Sequence, residues 1–447
     1  MRKFIQTLIL LLVITSCEVE GLNDTENAFT DTPIGLILNH SLLNVVSVAE
    51  AEAARITAIF TDQFTGVDRQ YGTLNGYSTV SANYDALWED IYQRGITQAQ
   101  ITKSKAIASG NSTVEGQALI LEAYYFGEAA LLFGDIPFSE VNGESTDPAY
   151  ESQSSVLNSV ISLLDEGITK VGSDFTAKNN VFDTSSNWDQ IANGLKARYY
   201  LALKNYSMAK STATEASFTS SENDWAISHS SANYGENLFW QFEVEQRQDY
   251  LKVENSHLSQ LLDSTSSVYR GNVKTNETKR FSYYVADNGL SLNTSDDGFA
   301  AQTRSFSVIS FEEIQLTIAE ASLLSSPADP IAALEALNKV RASNVDRFDS
   351  KYDAYVMADF ESGGILNKGL STNDALRLEI LIEKYCSVIG LPTYQDIRRT
   401  KNLIKVPIKG SGTTTIPQRF LYPSNESSSN SNFPGLVDQF IPTEINK

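Results

Sequence analysis

Asn187-Trp-Asp-Gln-Ile-Ala-Asn-Gly-Leu-Lys-Ala-Arg-Tyr-Tyr-Leu-Ala-Leu-Lys-Asn-Tyr-Ser-Met-Ala-Lys210 is the stretch whose reading decides the fold. Ile191, Leu195, Tyr199, Ala202, Tyr206, Ala209 and Ala213 recur three or four residues apart, which puts them on one face of a helix. Lys204 and Asn205 mark where one helix stops and a second begins. The second half, to Ala216, is rich in alanine and short polar residues, so it can pack close against the first. A bulky helix followed across a tight turn by an alanine-rich one is the tetratricopeptide style of pair. A plain amphipathic hairpin gives the same pattern on this segment alone.

Outward from that hairpin, the helical period recurs. Leu36, Leu38, Leu42, Leu43, Val46, Ala49 and Ala53 predict a helix over 33–58, and Tyr84, Leu87, Trp88, Ile91, Tyr92, Ile96 and Ile101 a second over 82–108. A third spans 114–133, where Gly134 suits a C-cap and Pro137 prevents continuation. Further helices are expected over 155–171, 311–324, 330–342 and 373–389, with Pro330 in the first turn of its helix. Two segments break the period. The 61–81 segment carries Gly66, Gly72 and Gly76, and 217–305 mixes Ser, Asn, Asp, Gly and aromatics, with a short strand expected over 281–286. Loop-rich insertions on a helical scaffold are where binding residues tend to sit.

Composition narrows the function. The 447 residues carry 42% hydrophobic side chains, enough for a large core, and a formal charge of −21, which argues against nucleic-acid binding because phosphates need a basic face. With two cysteines, Cys17 and Cys386, there is no disulfide framework. The three histidines, His40, His229 and His257, are far apart, which gives zinc no support, and no cofactor motif is present. Asn293, Ser295, Asp297 and Gly298 begin like a calcium loop, but Arg304 stands at the twelfth position where a bidentate glutamate is needed, so a turn is expected. No Gly-x-Ser-x-Gly elbow or other catalytic pattern appears, and the 55 acidic residues do not single out a catalytic pair. Cys386, among apolar neighbours on a helix, reads as a structural free thiol.

The N-terminus reads as an export signal: Arg2 and Lys3, then an apolar run from Phe4 to Ile14 that is shorter than the about 20 residues a bilayer span needs. It ends in Ile14-Thr15-Ser16-Cys17, which resembles a bacterial lipobox and makes Cys17 the expected lipid attachment. Residues 18–33 are polar and read as a linker.

The run from Trp188 to Leu201 resembles a hallmark of the SusD/RagB family of nutrient-binding outer-membrane lipoproteins. Four more segments resemble that family in the same order: Gly134-Asp-Ile-Pro137; Glu313-Ile-Gln-Leu-Thr-Ile-Ala-Glu-Ala321 with Ala336-Leu-Asn-Lys-Val-Arg-Ala342; Leu391-Pro-Thr-Tyr-Gln-Asp-Ile-Arg-Arg-Thr400; and Tyr422-Pro-Ser-Asn-Glu-Ser-Ser-Ser-Asn430. Cys386, Ile389, Gly390 and Pro392 depart from the family's pattern. The resemblance implies an all-α, tetratricopeptide-like fold with a loop-rich insertion. The expected organisation is a signal peptide over 1–16, a lipidated linker over 17–33 and a SusD-like domain over 34–447, helical over 34–216, loop-rich over 217–305 and helical again with C-terminal loops over 306–447. Glu18, Glu20 and Asp24 resemble a surface-export signal, or form a solvated linker. The resemblance also implies a TonB-dependent SusC-type transporter as partner, an oligosaccharide or peptide as ligand, no catalysis, and a surface-exposed place on the outer membrane. A surface glycan hydrolase on a helical scaffold and a tetratricopeptide-like assembly scaffold are the alternatives.

Sugars present apolar C–H faces and polar rims, which flat aromatic rings and polar side chains match. Tyr71 and Tyr77 in the first loop, and Trp225, Trp240 and Tyr283 in the insertion, lie outside helical apolar stripes and are the expected ligand-binding residues. Trp88 fits a helix and is expected in the core, and Trp188 fits a helix start in the family pattern, so neither is expected to bind ligand.

Overall fold

The computed structural model describes residues 32–141, 143 and 145–447. Cys17, the expected leader over 1–16 and all but the last two residues of the expected linker lie outside them. Helices dominate, and strands among the described residues are two to four residues long, so the chain has the all-α architecture expected.

The deciding hairpin forms as its sequence requires. The Asn187 amide donates to Gln190 Oε1 at the start of the helix Trp188–Ala202, one half of a capping box. Lys204 turns the chain in a left-handed conformation, with φ 60°. Asn205 then caps Tyr206–Ala216, its side chain accepting from the Met208 amide. Successive helices stack side by side: Ile34–Ala49 on Thr97–Ser109, then Ser112–Phe133, Gln153–Val171, Trp188–Ala202, Tyr206–Ala216, Phe311–Leu324 and Pro330–Phe348. Thr372–Ser387 lies on Phe311–Leu324, and Leu391–Arg399 on Glu52–Phe60.

Glycines set the closest approaches. A Cβ on Gly116 would lie 2.5 Å from Val171 Cγ1, and one on Gly127 would lie 2.2 Å from Tyr199 Cζ. Tyr199 is fully buried, so its ring has little room to retreat. Gly127→Ala is therefore expected to cost about 1–3 kcal/mol by overpacking, even though alanine favours the helix. A denaturation midpoint at or above wild type would contradict this.

Four elements differ from the sequence expectation. The 61–81 segment, expected as a loop, contains the helix Arg69–Asn75. The apolar run Ile34–Phe60 is two helices rather than one, interrupted at Glu50–Ala51. It is apolar and long enough to cross a membrane by composition, but Val45, Val48, Ile56, Ile59 and Phe60 are core residues. The 82–108 stretch contains a π-helical turn, Asp90–Ile96, in which Gly95 leaves room for the Tyr125 ring. The expected strand over 281–286 is mostly a helix, Thr278–Tyr284, because Arg280 and Tyr284, four residues apart, are the buried pair.

Within the insertion, Trp225–Ile227 is the middle strand of an antiparallel sheet between Phe182–Asp183 and Phe306–Ile309. The calcium-like segment is a turn, as expected. Asn293 Oδ1 accepts from the Ser295 amide, and Arg304 donates to the carbonyls of Gly298 and Asp296.

Buried ion networks tie the layers together. Arg198 donates to Glu313, Glu128 and the Val308 carbonyl. Arg399 pairs with Glu320 and Asp396, while Arg398 donates to the carbonyls of Gln418 and Leu131. Arg270 and Arg280 meet Glu277, Glu379 and Glu383. The two arginines of the Asp-Ile-Arg-Arg motif are thus structural.

Distant parts of the chain close on one another. Gln63 donates to the Tyr385 and Val388 carbonyls and accepts from the Gly390 amide. Phe420 stacks on Tyr84, and the Tyr422 hydroxyl donates to the Asp135 carbonyl. Cys386 is buried and unbridged, with its thiol pushed up to about 12 by burial, which fits an inert structural thiol.

Candidate functional site

The short sheet, the N-terminus of Phe311–Leu324, the outer part of Pro330–Phe348 and residues 387–389 surround a cleft of about 1170 Å³. That size suits an oligomeric or drug-sized ligand. Its walls are rich in hydroxyls, among them Thr184, Ser185, Ser220, Ser305, Ser307 and Ser343, and its apolar side is Tyr283, Tyr284, Phe299 and Phe306.

Tyr283 is the aromatic centre of that wall. The helix Thr278–Tyr284 delivers it, and its ring packs edge-on to Tyr284 at 4.9 Å, Phe348 at 5.6 Å and Phe299 at 6.1 Å. The Arg347 guanidinium lies 5.0 Å from the ring centroid and donates to the Tyr283 hydroxyl at 3.0 Å. Arg304, after closing the 293–298 turn, lies 5.8 Å from the same ring. A half-buried ring held by two cations and three aromatics is a preorganised face for stacking.

Two acids sit opposite. Asp224 precedes the middle strand. It accepts from the Ser307 hydroxyl at 2.8 Å and from the Phe311 amide at 2.7 Å, so it serves the start of Phe311–Leu324. Burial and then the neighbouring Glu312 push its carboxyl well above the usual range. Glu312 is 2% exposed and contacts Arg347 at 3.5 Å.

Of the five aromatics expected to bind ligand, Tyr283 lines the cleft. Tyr71, Tyr77 and Trp225 require a correction, because they are core residues. Tyr71 packs 4.9 Å from Phe242 and its hydroxyl accepts from Arg55. Tyr77 packs edge-on to Phe60 at 5.8 Å and its hydroxyl accepts from the Lys409 amide. Trp225 is fully buried among Phe182, Trp188 and Tyr124. Tyr71 shares the buried face of a short helix, Arg69–Asn75, with Leu74, Tyr77 follows that helix, and Trp225 lies in a short strand; short elements packed on the long helices bury their rings just as well. Trp240 is half-buried at the end of Leu238–Trp240 and does not line the cleft. Trp88 and Trp188 are in the core. The sequence reading missed Arg304, Arg347, Asp224 and Glu312, for which adjacent acids at a helix start were the only signal. It also did not single out Tyr234, 92% exposed at the tip of a loop that His229 pins to the buried Glu50. Among the described residues no cluster of ligands suited to a metal ion is present.

Comparisons with known proteins follow the same line. No curated protein matches the chain. Solved structures share its fold. A SusD/RagB family protein from Bacteroides thetaiotaomicron is 18% identical with a TM-score of 0.65, over 90% of this chain and 95% of that one. A chitin-binding SusD homolog from Flavobacterium johnsoniae is 15% identical with a TM-score of 0.67, over 92% of this chain and 99% of that one. A further chitin-binding protein is 17% identical with a TM-score of 0.65, covering 93% of this chain and 100% of that one. The model of the SusD-like family, described as starch-binding and associating with the outer membrane, matches residues 26–423. With this match spanning most of the chain and the helical array carrying each motif in order, the protein belongs to the SusD-like family.

Proposed function

We propose that this protein is a cell-surface lipoprotein that captures an oligosaccharide in the cleft around Tyr283 and delivers it to a TonB-dependent SusC-type transporter in the outer membrane. The observation that carries the reading is the cleft itself, about 1170 Å³ of hydroxyl-lined space against one braced aromatic face, on the scaffold of a family described as starch-binding. The two chitin-binding neighbours support a carbohydrate over a peptide. Capture needs no bond to break, so the protein acts as a binder rather than a catalyst.

Calorimetric titration with starch and chitin oligosaccharides tests this. Tyr283→Ala is expected to weaken binding about tenfold through loss of stacking, and Tyr283→Phe, which keeps the ring, to weaken it less. Wild-type affinity in Tyr283→Ala would remove the cleft from the reading. Attachment is tested separately. Cys17→Ala is expected to leave the outer-membrane fraction, and normal fractionation of that variant would discard the lipid anchor. Crosslinking in intact cells is expected to recover a barrel partner through an interface larger than a standard one.

A further inference from the structure

The helix Ile34–Ala49 holds an apolar stripe in water. Leu36 is 61% exposed and Leu43 58%, and Asn39 and His40 lie exposed between them. Spacings of three, four and seven put these four on one face. The helix cannot roll to hide them. Its opposite face is core, through Leu38, Leu42, Val45 and Val48. That face is locked by the Tyr125 hydroxyl donating to the Ser41 carbonyl, and by Asn44 donating to the Asp90 carbonyl at 2.6 Å. Beside it, the helix Thr97–Ser109 exposes Ile101 and Ile107.

Charge singles out the same pair of helices. The chain has 55 acidic residues and a net charge of −21, yet neither helix contains an Asp or Glu. Ile34–Ala49 has no Lys or Arg either, and Thr97–Ser109 carries Lys103 and Lys105. A lipid surface bearing phosphates repels a chain of this charge, so an acid-free face is where such a surface can approach. Position agrees. Sixteen residues, 18–33, separate the expected lipid attachment at Cys17 from this helix, which is the nearest part of the domain to it along the chain. A tether makes the second contact intramolecular, so a small apolar face suffices. The two helices offer leucine and isoleucine but no Trp, Tyr or Arg, the residues that anchor protein interfaces.

We propose that the exposed face of Ile34–Ala49 lies on the lipid surface that carries the anchor, with Leu36 and Leu43 entering the boundary between headgroups and acyl chains. The contact holds the domain in one orientation rather than letting it swing on its linker. The proposal rests on the lipid anchor in the reading above.

The test places a dye on the stripe. In the lipidated protein Cys17 is acylated and Cys386 is buried, so His40→Cys supplies one reactive thiol. The labelled lipoprotein is reconstituted in vesicles of phosphatidylethanolamine and phosphatidylglycerol. These contain lipids with a nitroxide quencher about 5–10 Å deep, where the apolar face of an interfacial helix lies. Val273→Cys, 72% exposed in the insertion, is the control. Flotation shows that each variant is attached. The His40→Cys dye is expected to lose most of its emission and the Val273→Cys dye little. Adding Leu36→Glu and Leu43→Glu to His40→Cys should restore the emission, with flotation and the melting temperature unchanged because both leucines are exposed. Attached protein whose His40→Cys dye is quenched no more than the control overturns the docking and leaves the anchor intact. A crosslink from that position to a barrel in intact cells would then give the face to a protein. Quenching that survives both glutamates also overturns the docking, since the dye alone would explain it. Failure of the unsubstituted protein to float removes the anchor reading and the docking with it.

Discussion

Glu383→Ala is expected to lower the unfolding free energy by about 3–5 kcal/mol, the range for breaking a buried ion pair from one side. Glu383 is fully buried, and accepts from Arg270 at 2.7 Å, Arg280 at 2.9 Å and Asn344 at 2.8 Å. Arg270 retains Glu277 and Glu379, but Arg280 is left with Glu277 at 3.9 Å. The alanine variant therefore holds an under-compensated guanidinium away from water. Glu383→Gln keeps the volume and one acceptor and should lose less. Burial raises the Glu383 carboxyl, but Arg270 and Arg280 outweigh it and hold the group well below its ordinary value of 4.5. Its contribution is therefore complete above that value and shrinks as pH falls, because the unfolded chain takes up the proton first. Urea titrations of wild type and both variants should show the gap narrowing below pH 4.5. A gap that is small at neutral pH, or that widens in acid, would contradict the network's role.

Trp225→Ala is expected to cost about 3–5 kcal/mol, as for other aromatic truncations in a core. The ring is enclosed by Phe182 at 4.6 Å, Tyr124 at 5.7 Å and Trp188 at 6.1 Å. These belong to the outer strand and two stacked helices, so the cavity opens where three layers meet. Its neighbours along the strand, Asp224 and Ala226, line the cleft, and affinity should fall only as far as that strand loosens. The measurement pairs a thermal melt with a titration well below the melting temperature. An unchanged melt with lost affinity would make Trp225 a ligand contact instead.

The helical array was legible because its residues repeat a period that a helix makes physical. Ile191, Leu195 and Tyr199 fall on one face, Asn205 caps its helix and Gln190 holds the Asn187 amide, and Gly134 and Pro137 end a helix where they stand. The site was less legible because burial in the insertion follows no period. Trp225 and Tyr283 look alike in sequence, each an aromatic in a stretch with no helical apolar period. What separates them is the partner that arrives: a sheet seated on two helices covers Trp225, whereas Tyr283 emerges at the edge of a space that Pro330–Phe348 leaves open. Arg347 and Glu312, on two different helices, acquire meaning only when those helices pack together. The same holds for Arg398 and Arg399, where sequence marks a motif and structure supplies its carbonyl and carboxylate partners.

The bonds from Gln63 to the backbone at Val388 join residues 325 positions apart. They impose an order on how the molecule comes into being. A chain made from its N-terminus exposes Ile56, Ile59 and Phe60 long before Tyr394 and Phe420, their neighbours in the finished core, have been synthesised. The early helices can form locally, but closing the ring between the two ends must wait for nearly the whole chain and pay for a very large loop. Folding should therefore finish late and slowly, with an intermediate whose apolar surface needs shielding until the last segment arrives.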